Sequence, residues 1–168
     1  MVAAHVSKVS KDYSPYGYSI MESVCATSTT AAAGDDTDPV ISLMVDDADI
    51  WIEKVQFVAQ SALAADDTNY ITAGVSSIDS GAGVELFHAG ATSKTTGSGG
   101  LGNLVEDTFY DVPIGNAHVP AGRVVLLGLF KSDPDEASIS GISGTVMVRY
   151  RRKACARPDP GPEREVLP

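Results

Sequence analysis

Hydrophobic and polar residues alternate along much of the chain with a period of two, and the clearest example covers residues 49–78. In its first half, Val55, Phe57 and Ala59 fall on one face of an extended chain, and polar residues fall on the other. Residues 69–78 repeat this alternation. A period of two is typical of a β-strand that buries one face, so each half predicts a strand.

The connection between these two halves is short and polar. It covers residues 61–68 and contains the pair Asp66 and Asp67, which favours a turn. Because two strands with a short connection usually pair, residues 49–78 predict an antiparallel hairpin at the centre of the fold.

Two isoleucines at the start of the first strand break its alternation. Ile50 and Ile52 are out of phase with Val55. Since a shift of one residue turns every side chain to the opposite face, a bulge at Glu53 and Lys54 would restore the register. The alternative is a strand whose first residues are buried on both faces.

Six further segments have the composition of strands: residues 17–26, 40–45, 84–87, 104–112, 121–131 and 145–151. In the last segment, Val146, Val148 and Tyr150 are predicted to point inward. The segment 121–131 is the most apolar, which predicts burial of both faces and a neighbouring element or subunit outside it. Short strands, 16 Gly, 9 Pro and no helical period predict an all-β protein, an antiparallel jelly-roll-like β-sandwich of about eight strands.

The chain of 168 residues has about the length of one domain. The strand pattern covers residues 17–152, which we interpret as the β-sandwich (jelly-roll) domain. Residues 1–16 and the Pro-rich residues 153–168 lack this pattern, and we interpret them as extended N- and C-terminal arms.

The formal net charge of −10 is unevenly distributed. Residues 149–168 hold six basic and three acidic side chains, whereas the rest of the chain holds six basic and nineteen acidic ones. The acidic body disfavours nucleic acid as a partner, because nucleic-acid binding depends on neutralising phosphates. A basic end on an acidic body indicates a segment that docks on another surface.

The sequence predicts neither a membrane protein nor an exported one. No apolar run approaches the roughly 20 residues of a membrane span, and the first residues lack the apolar core of a signal peptide. Two cysteines, Cys25 and Cys155, are too few for a disulfide framework, so both are expected to be free thiols. We therefore expect a protein made in the cytoplasm, with no membrane partner.

Motifs for cofactor binding and catalysis are weak. Residues 97–102 match the pattern G-x-G-x-x-G, but a dinucleotide site needs a strand before the glycines and a helix after them. Neither is predicted there, so a flexible loop is the better interpretation. The chain has no P-loop and no G-x-S-x-G motif. We predict no catalytic residue and no cofactor.

The remaining candidates for chemistry have ordinary structural explanations. His5, His88 and His118 show no metal-ligand spacing. Trp51 lies within a predicted strand, which favours core or interface packing over stacking on a ligand. Three acidic groups fit turns better than calcium sites, because they lack the spacing of an EF-hand loop: residues 35–38, 46–49 and 133–136.

Four segments, in this order, carry a resemblance to a known class of protein. They are residues 50–59 (IWIEKVQFVA), 67–72 (DTNYIT), 119–128 (VPAGRVVLLG) and 144–150 (GTVMVRY). Together they resemble jelly-roll structural proteins of tailed bacteriophages, particularly capsid decoration (cement) and head-fibre proteins. The resemblance covers roughly residues 40–152 and is one of pattern.

This resemblance implies a non-enzymatic virion protein on the outer surface of the capsid. Its implied partners are subunits of the major capsid protein, which it would clamp together, and copies of itself, as a homotrimer in preference to a homodimer. No cofactor or metal is implied. The expected partner contacts are Tyr13, Tyr16, Arg149, Arg151, Arg152, Lys153 and Arg157.

Two alternatives remain open at the level of sequence. The first is a receptor- or glycan-binding head-fibre or tail/baseplate β-module, which would use exposed aromatic residues such as Tyr13, Tyr16 and Tyr110. The second is an enzyme, which would require His88 or His118 to meet an acid in a concave pocket.

Overall fold

The chain forms two antiparallel sheets in the computed structural model. The structure describes residues 5–6, 10–14, 17–34, 40–45, 48–79, 85–96 and 100–153. Within these residues, the only helical element is a 3₁₀ turn at Ala137–Ile139.

The described residues form eleven strands. In chain order they are β1 (His5–Val6), β2 (Ser10–Ser14), β3 (Gly17–Thr29), β4 (Val40–Val45), β5 (Ile50–Ala59), β6 (Ile71–Asp79), β7 (Glu85–Thr92), β8 (Phe109–Asp111), β9 (His118–Val119), β10 (Arg123–Lys131) and β11 (Ser143–Lys153).

The larger sheet has the order β1-β3-β11-β5-β8, with β2 also paired to β3 and β9 also paired to β5. The smaller sheet has the order β4-β10-β6-β7. The chain changes sheet between β3 and β4, β4 and β5, β5 and β6, β7 and β8, β9 and β10, and β10 and β11. Two antiparallel layers with repeated crossing of the chain between them are typical of a jelly roll. The prediction of an all-β, jelly-roll-like sandwich is confirmed.

The core lies between the two sheets and is formed by the inward-facing residues of both. Phe57 and Val146 of the larger sheet, and Leu127 and Leu129 of the smaller sheet, are completely buried. Tyr150 is only 2% exposed. The alternation along β11 therefore has the predicted phase, and burial of these side chains is the main stabilising contribution, at about 1.5–3 kcal/mol for each large apolar residue.

Of the two interpretations of the start of β5, the bulge is confirmed. Lys54 lies opposite Arg149 and Ile52 lies opposite Tyr150, so Glu53 is an additional residue that has no partner on β11. The bulge restores the phase, because Ile52 is buried on the same side as the residues that follow it. It also leaves Glu53 and Lys54 both exposed.

The predicted hairpin between the two halves of residues 49–78 is wrong. β5 pairs with β11, β8 and β9 in the larger sheet, whereas β6 pairs with β10 and β7 in the smaller one. Hairpin loops usually have about two to five residues, and the connection at residues 60–70 is long enough to cross between layers. Alternation identifies the buried face of a strand but does not identify its neighbour.

Two other strand predictions need adjustment. The strand expected at residues 104–112 is limited to Phe109–Asp111, because the Tyr110 hydroxyl accepts a hydrogen bond from Val105 N at 2.8 Å and donates to Asn103 O at 3.2 Å, which holds a loop. The short strand expected at residues 84–87 extends to Thr92. Its later part, rich in Ala and Gly, carries too little hydrophobic signal to be recognised.

The apolar run in β10 is buried on both faces, as predicted, since five consecutive residues from Val125 to Leu129 are buried. The predicted N-terminal arm, residues 1–16, is described in part. Its strands β1 and β2 both pair with β3, so these stretches extend the larger sheet of the same chain. Of the predicted C-terminal arm, only Lys153 lies within the described residues, at the end of β11.

Replacement of Gly144 by Ala is expected to destabilise the protein by about 1–3 kcal/mol, the usual cost of overpacking. A Cβ at this position would overlap the Phe57 ring and lie 2.9 Å from Val58 O, and the backbone oxygen cannot rotate away. The free energy of unfolding, measured by urea denaturation, tests this expectation.

The matched control is Gly115→Ala, whose Cβ would have only His88 O within 4 Å, at 3.8 Å. It should change stability by a few tenths of a kcal/mol, within the range of ordinary surface substitutions. The double variant Gly144→Ala and Phe57→Leu should be destabilised by less than the sum of the two single variants, because the two sites are in contact and therefore coupled. Equal stabilities of the two glycine variants would contradict this account of the core.

Candidate functional site

The solvent-facing side of the larger sheet carries a continuous group of polar and aromatic side chains. It lies where β11, β5, β8 and β9 are adjacent. We call it the outer polar face, and it comprises Trp51, Glu53, Lys54 and Gln56 of β5, Asp111 of β8, His118 of β9, and Arg149 and Arg151 of β11.

Glu53 lies between two arginines of the neighbouring strand. Arg151 Nε donates a hydrogen bond to Glu53 Oε1 at 2.8 Å, and Arg149 Nε lies 3.8 Å from Glu53 Oε2. The bulge creates this arrangement, because it turns Glu53 outward together with Lys54. Ion pairs at a surface contribute only about 0–1 kcal/mol to stability, so their main effect here is to orient the side chains.

Asp111 forms a second, similar group across the opposite edge of β5. Gln56 Nε2 donates to Asp111 Oδ1 at 3.0 Å, and Lys54 Nζ lies 3.5 Å from the same oxygen. Each carboxylate of the outer polar face is thus shared by two donor side chains. The face is consequently ordered by its own contacts.

Trp51 stacks against His118 at one end of the face. The ring centroids are 5.1 Å apart with an angle of 35° between the planes. His118 Nε2 lies 2.9 Å from Asp49 Oδ2, and Asp49 Oδ1 accepts a hydrogen bond from Ala121 N. Trp51 is 40% exposed, so it is not the core residue that its strand position favoured. Its interface role stays a prediction.

A shallow depression of about 250 Å³ adjoins the other end of the face. Its walls include Ser23 and Cys25 of β3, Met147 of β11, and Lys54 and Arg149. The small side chains on β3 create this space, since longer neighbours on β5 and β11 stand above them. The outer polar face is therefore slightly concave at this end.

The predicted partner contacts do not share one surface. Arg149 and Arg151 lie on the outer polar face, whereas Arg152 alternates to the other side, where its Nε lies 3.9 Å from Glu22 Oε2. That carboxylate also accepts a hydrogen bond from Tyr150 Oη at 2.5 Å.

The other predicted contacts lie wholly or partly outside the described residues. Tyr13 and Lys153 are described only as positions in β2 and β11, and Tyr16 and Arg157 are not described. All seven assignments stay predictions. Trp51, His118 and Glu53 were not recognised as part of a surface, since only the pairing of β5 with β9 and β11 brings them together.

A buried contact between Ser77 and His88 also has no signal in the sequence. Ser77 Oγ lies 2.7 Å from His88 Nε2, and His88 Nδ1 lies 3.0 Å from Asn116 O. Since a carbonyl only accepts, Nδ1 carries the proton and Nε2 accepts from the Ser77 hydroxyl. A serine beside a histidine is the arrangement of an activated nucleophile. Here, however, Ser77 is 0% exposed and His88 is 1% exposed, so both side chains are buried within the described part of the chain.

The acidic turns have local structural roles where they are described. Asp66 accepts backbone hydrogen bonds from Asn69 and Thr68 at 2.8 and 2.7 Å, which lower the pKa of its carboxyl group. Asp67 accepts from Thr95, which lowers its pKa as well. Within the described ranges, no group of three or more His, Cys, Asp or Glu residues has a geometry that could hold a metal ion. Of the helical structure that is described, none is long and apolar enough to cross a membrane.

Comparisons with known proteins add little to this geometry. No protein-family model matches the chain, and no curated protein matches it. A solved structure of the CBM22-1–GH10 modules of Clostridium thermocellum endo-1,4-β-D-xylanase 10B, complexed with xylohexaose, is similar at 12% sequence identity and a TM-score of 0.33. The match covers 93% of this chain and 27% of the xylanase chain. A score this low carries no argument about function.

The buried His88 predicts a specific dependence of stability on pH. Burial lowers the pKa of His88 below its ordinary value of 6.5, with smaller contributions from Arg123 and His118, while the hydrogen bond to Asn116 O opposes the shift. The unfolded chain therefore binds a proton before the folded chain does. Protonation of His88 therefore does not reduce the free energy of unfolding above pH 6.5. Below pH 6.5 it reduces that free energy by at most about 1.4 kcal/mol per pH unit.

Chemical denaturation between pH 7.5 and 5.5 measures this loss. His88→Gln should be less stable than the wild type at pH 7.5 but should show a flatter profile over the range. Gln60→Ala is the control, since Gln60 is exposed and its side chain does not titrate, so the slope should equal that of the wild type. A slope that persists in His88→Gln would rule out this histidine as its origin.

Proposed function

We propose that the protein is a structural, non-enzymatic capsid decoration (cement) protein, which binds the outer surface of a tailed-phage head and stabilises contacts between major capsid protein subunits. The choice of partner rests on the resemblance of the four sequence segments to such proteins. The jelly-roll sandwich agrees with this resemblance, although folds of this kind also serve other functions.

The outer polar face is the observation that gives this proposal a site. Trp and Arg are the residues that most often dominate the binding energy of protein interfaces. Trp51, Arg149 and Arg151 lie together on a regular sheet, and Glu53 orients both arginines before a partner binds. Side chains that are already ordered lose less entropy on binding.

Self-association and attachment to the capsid would act together in this proposal. Several copies in a homotrimer, or alternatively a homodimer, would engage several capsid subunits at once. Each weak contact then becomes effectively intramolecular after the first one forms, which raises the overall affinity. The protein would be located on the outer surface of the virion.

Cosedimentation with expanded capsids that lack decoration tests the proposal. The full chain should bind in a fixed ratio to the major capsid protein and should raise the temperature at which the capsids disrupt. The double variant Arg149→Glu and Arg151→Glu should bind at least tenfold more weakly, because both changes place carboxylates beside Glu53. Asp135→Lys, an exposed residue in the loop after β10, is the control for a charge reversal.

Absence of saturable binding to expanded capsids by the folded wild-type protein would refute the capsid proposal. Equal binding by the double variant and the wild type would instead refute the assignment of the outer polar face as the capsid contact. The melting temperature of each variant in solution shows whether a loss of binding reflects loss of the fold.

The glycan-binding alternative is favoured by a different observation, the exposed ring of Trp51. Of the three tyrosines that the sequence offered for this role, the side chains of Tyr13 and Tyr16 lie outside the described part of the structure. Tyr110 stacks on Phe57, with its hydroxyl bonded within the loop that precedes β8. Tyr110 is therefore occupied by structural contacts. Trp51 replaces it as the aromatic residue of this hypothesis.

A further inference from the structure

We propose that the outer polar face is a binding site for a neutral oligosaccharide, with Trp51 as the stacking platform. This inference does not rest on the capsid proposal, but it concerns the same face, so an oligosaccharide and a capsid subunit would compete for it. Three properties of the face support it: its aromatic anchor, its paired hydrogen-bonding groups and its balance of charge.

The aromatic anchor is exposed and held in place. A half-exposed indole presents a large, rigid and amphipathic surface, which suits the apolar C–H face of a sugar ring. Trp51 is 40% exposed, and its neighbour His118 is itself fixed by Asp49. Because this chain of contacts restrains the ring before any ligand arrives, the entropy lost on binding is small.

The polar groups beside the ring are both donors and acceptors. A guanidinium has five N–H donors, and a carboxylate accepts at about four lone-pair positions. The contacts of Glu53 with Arg149 and Arg151 place donors and acceptors side by side on the face. Sugar hydroxyls donate and accept, so a carboxylate paired with a guanidinium complements them.

The balance of charge excludes a polyanion as the preferred ligand. Three cations and three carboxylates share the surface and its immediate margin: Lys54, Arg149, Arg151, Asp49, Glu53 and Asp111. A phosphate or sulfate site needs cations that are not already neutralised. Here each cation lies within 4 Å of a carboxylate. A neutral ligand does not need unpaired cations, so this balance of charge does not weaken its binding.

The length of the face favours an oligomer over a single sugar ring. Trp51 and Gln56 mark its ends along β5, a distance of about 16 Å at roughly 3.3 Å per residue. The depression beside Lys54 and Arg149 lies on the same side of the sheet and supplies a second, concave part. Affinity should therefore increase with the number of rings.

Intrinsic fluorescence provides a direct test, because Trp51 is the only tryptophan of the chain. The folded full chain is titrated with neutral gluco-, galacto- and manno-oligosaccharides of increasing length, and with a sulfated oligosaccharide as the charged probe. We expect a saturable change in emission with at least one neutral series, an affinity that rises with length, and weaker binding of the sulfated probe. Titration calorimetry gives the affinities of variants that lack the tryptophan.

Trp51→Ala should weaken the binding at least tenfold, whereas Trp51→Phe, which keeps an aromatic ring, should retain part of it. Phe87→Ala is the matched control, since Phe87 is an aromatic residue that is 49% exposed on β7 of the smaller sheet, away from the outer polar face. No response to any neutral series, equal affinities of Trp51→Ala and the wild type, or tighter binding of the sulfated probe would each overturn the inference. Capsid cosedimentation is a separate measurement, so failure of one proposal is distinguishable from failure of the other.

Discussion

The additional residue at Glu53 in β5 is the constraint on which the rest of the structure depends. β5 lies between β11 and the short strands β8 and β9 in the larger sheet and pairs with β11 along its length. Without the bulge, either Ile52 or Val55 would point to solvent, because a strand reverses its facing at every residue. With it, both are at most 3% exposed. The bulge therefore lets the residues before Glu53 and those after it face the same core.

The same bulge links the core to the surface. Because Ile52 and Val55 both point inward, the two residues between them, Glu53 and Lys54, both point outward. Glu53 then reaches the arginines of β11, and Lys54 reaches Asp111 of β8. Bulges often redirect side chains near functional sites. Here a feature needed for packing also sets the geometry of the outer polar face.

The two described histidine side chains show how burial separates similar groups into different roles. His88 lies between the sheets with Ser77, where its environment disfavours the charged form. His118 lies at the surface, where it contacts Asp49 and supports Trp51. The sequence treated both as equivalent candidates for catalysis. Only their positions in the two sheets assign the first to the interior and the second to the candidate site.

The sequence by itself determined the class of the fold and the inward faces of β11 and the later part of β5, because these follow from a local period of two. The interruption of that period limited the start of β5 to two interpretations, a bulge or burial of both faces, and the pairing with β11 decided between them. The sequence did not determine which strands pair, since β5 and β6 alternate in the same way yet lie in opposite sheets. The sequence also did not predict the outer polar face. Trp51, His118 and Arg151 are separated by up to a hundred residues in the chain, and only the long-range hydrogen bonding of β5 with β9 and β11 places them side by side.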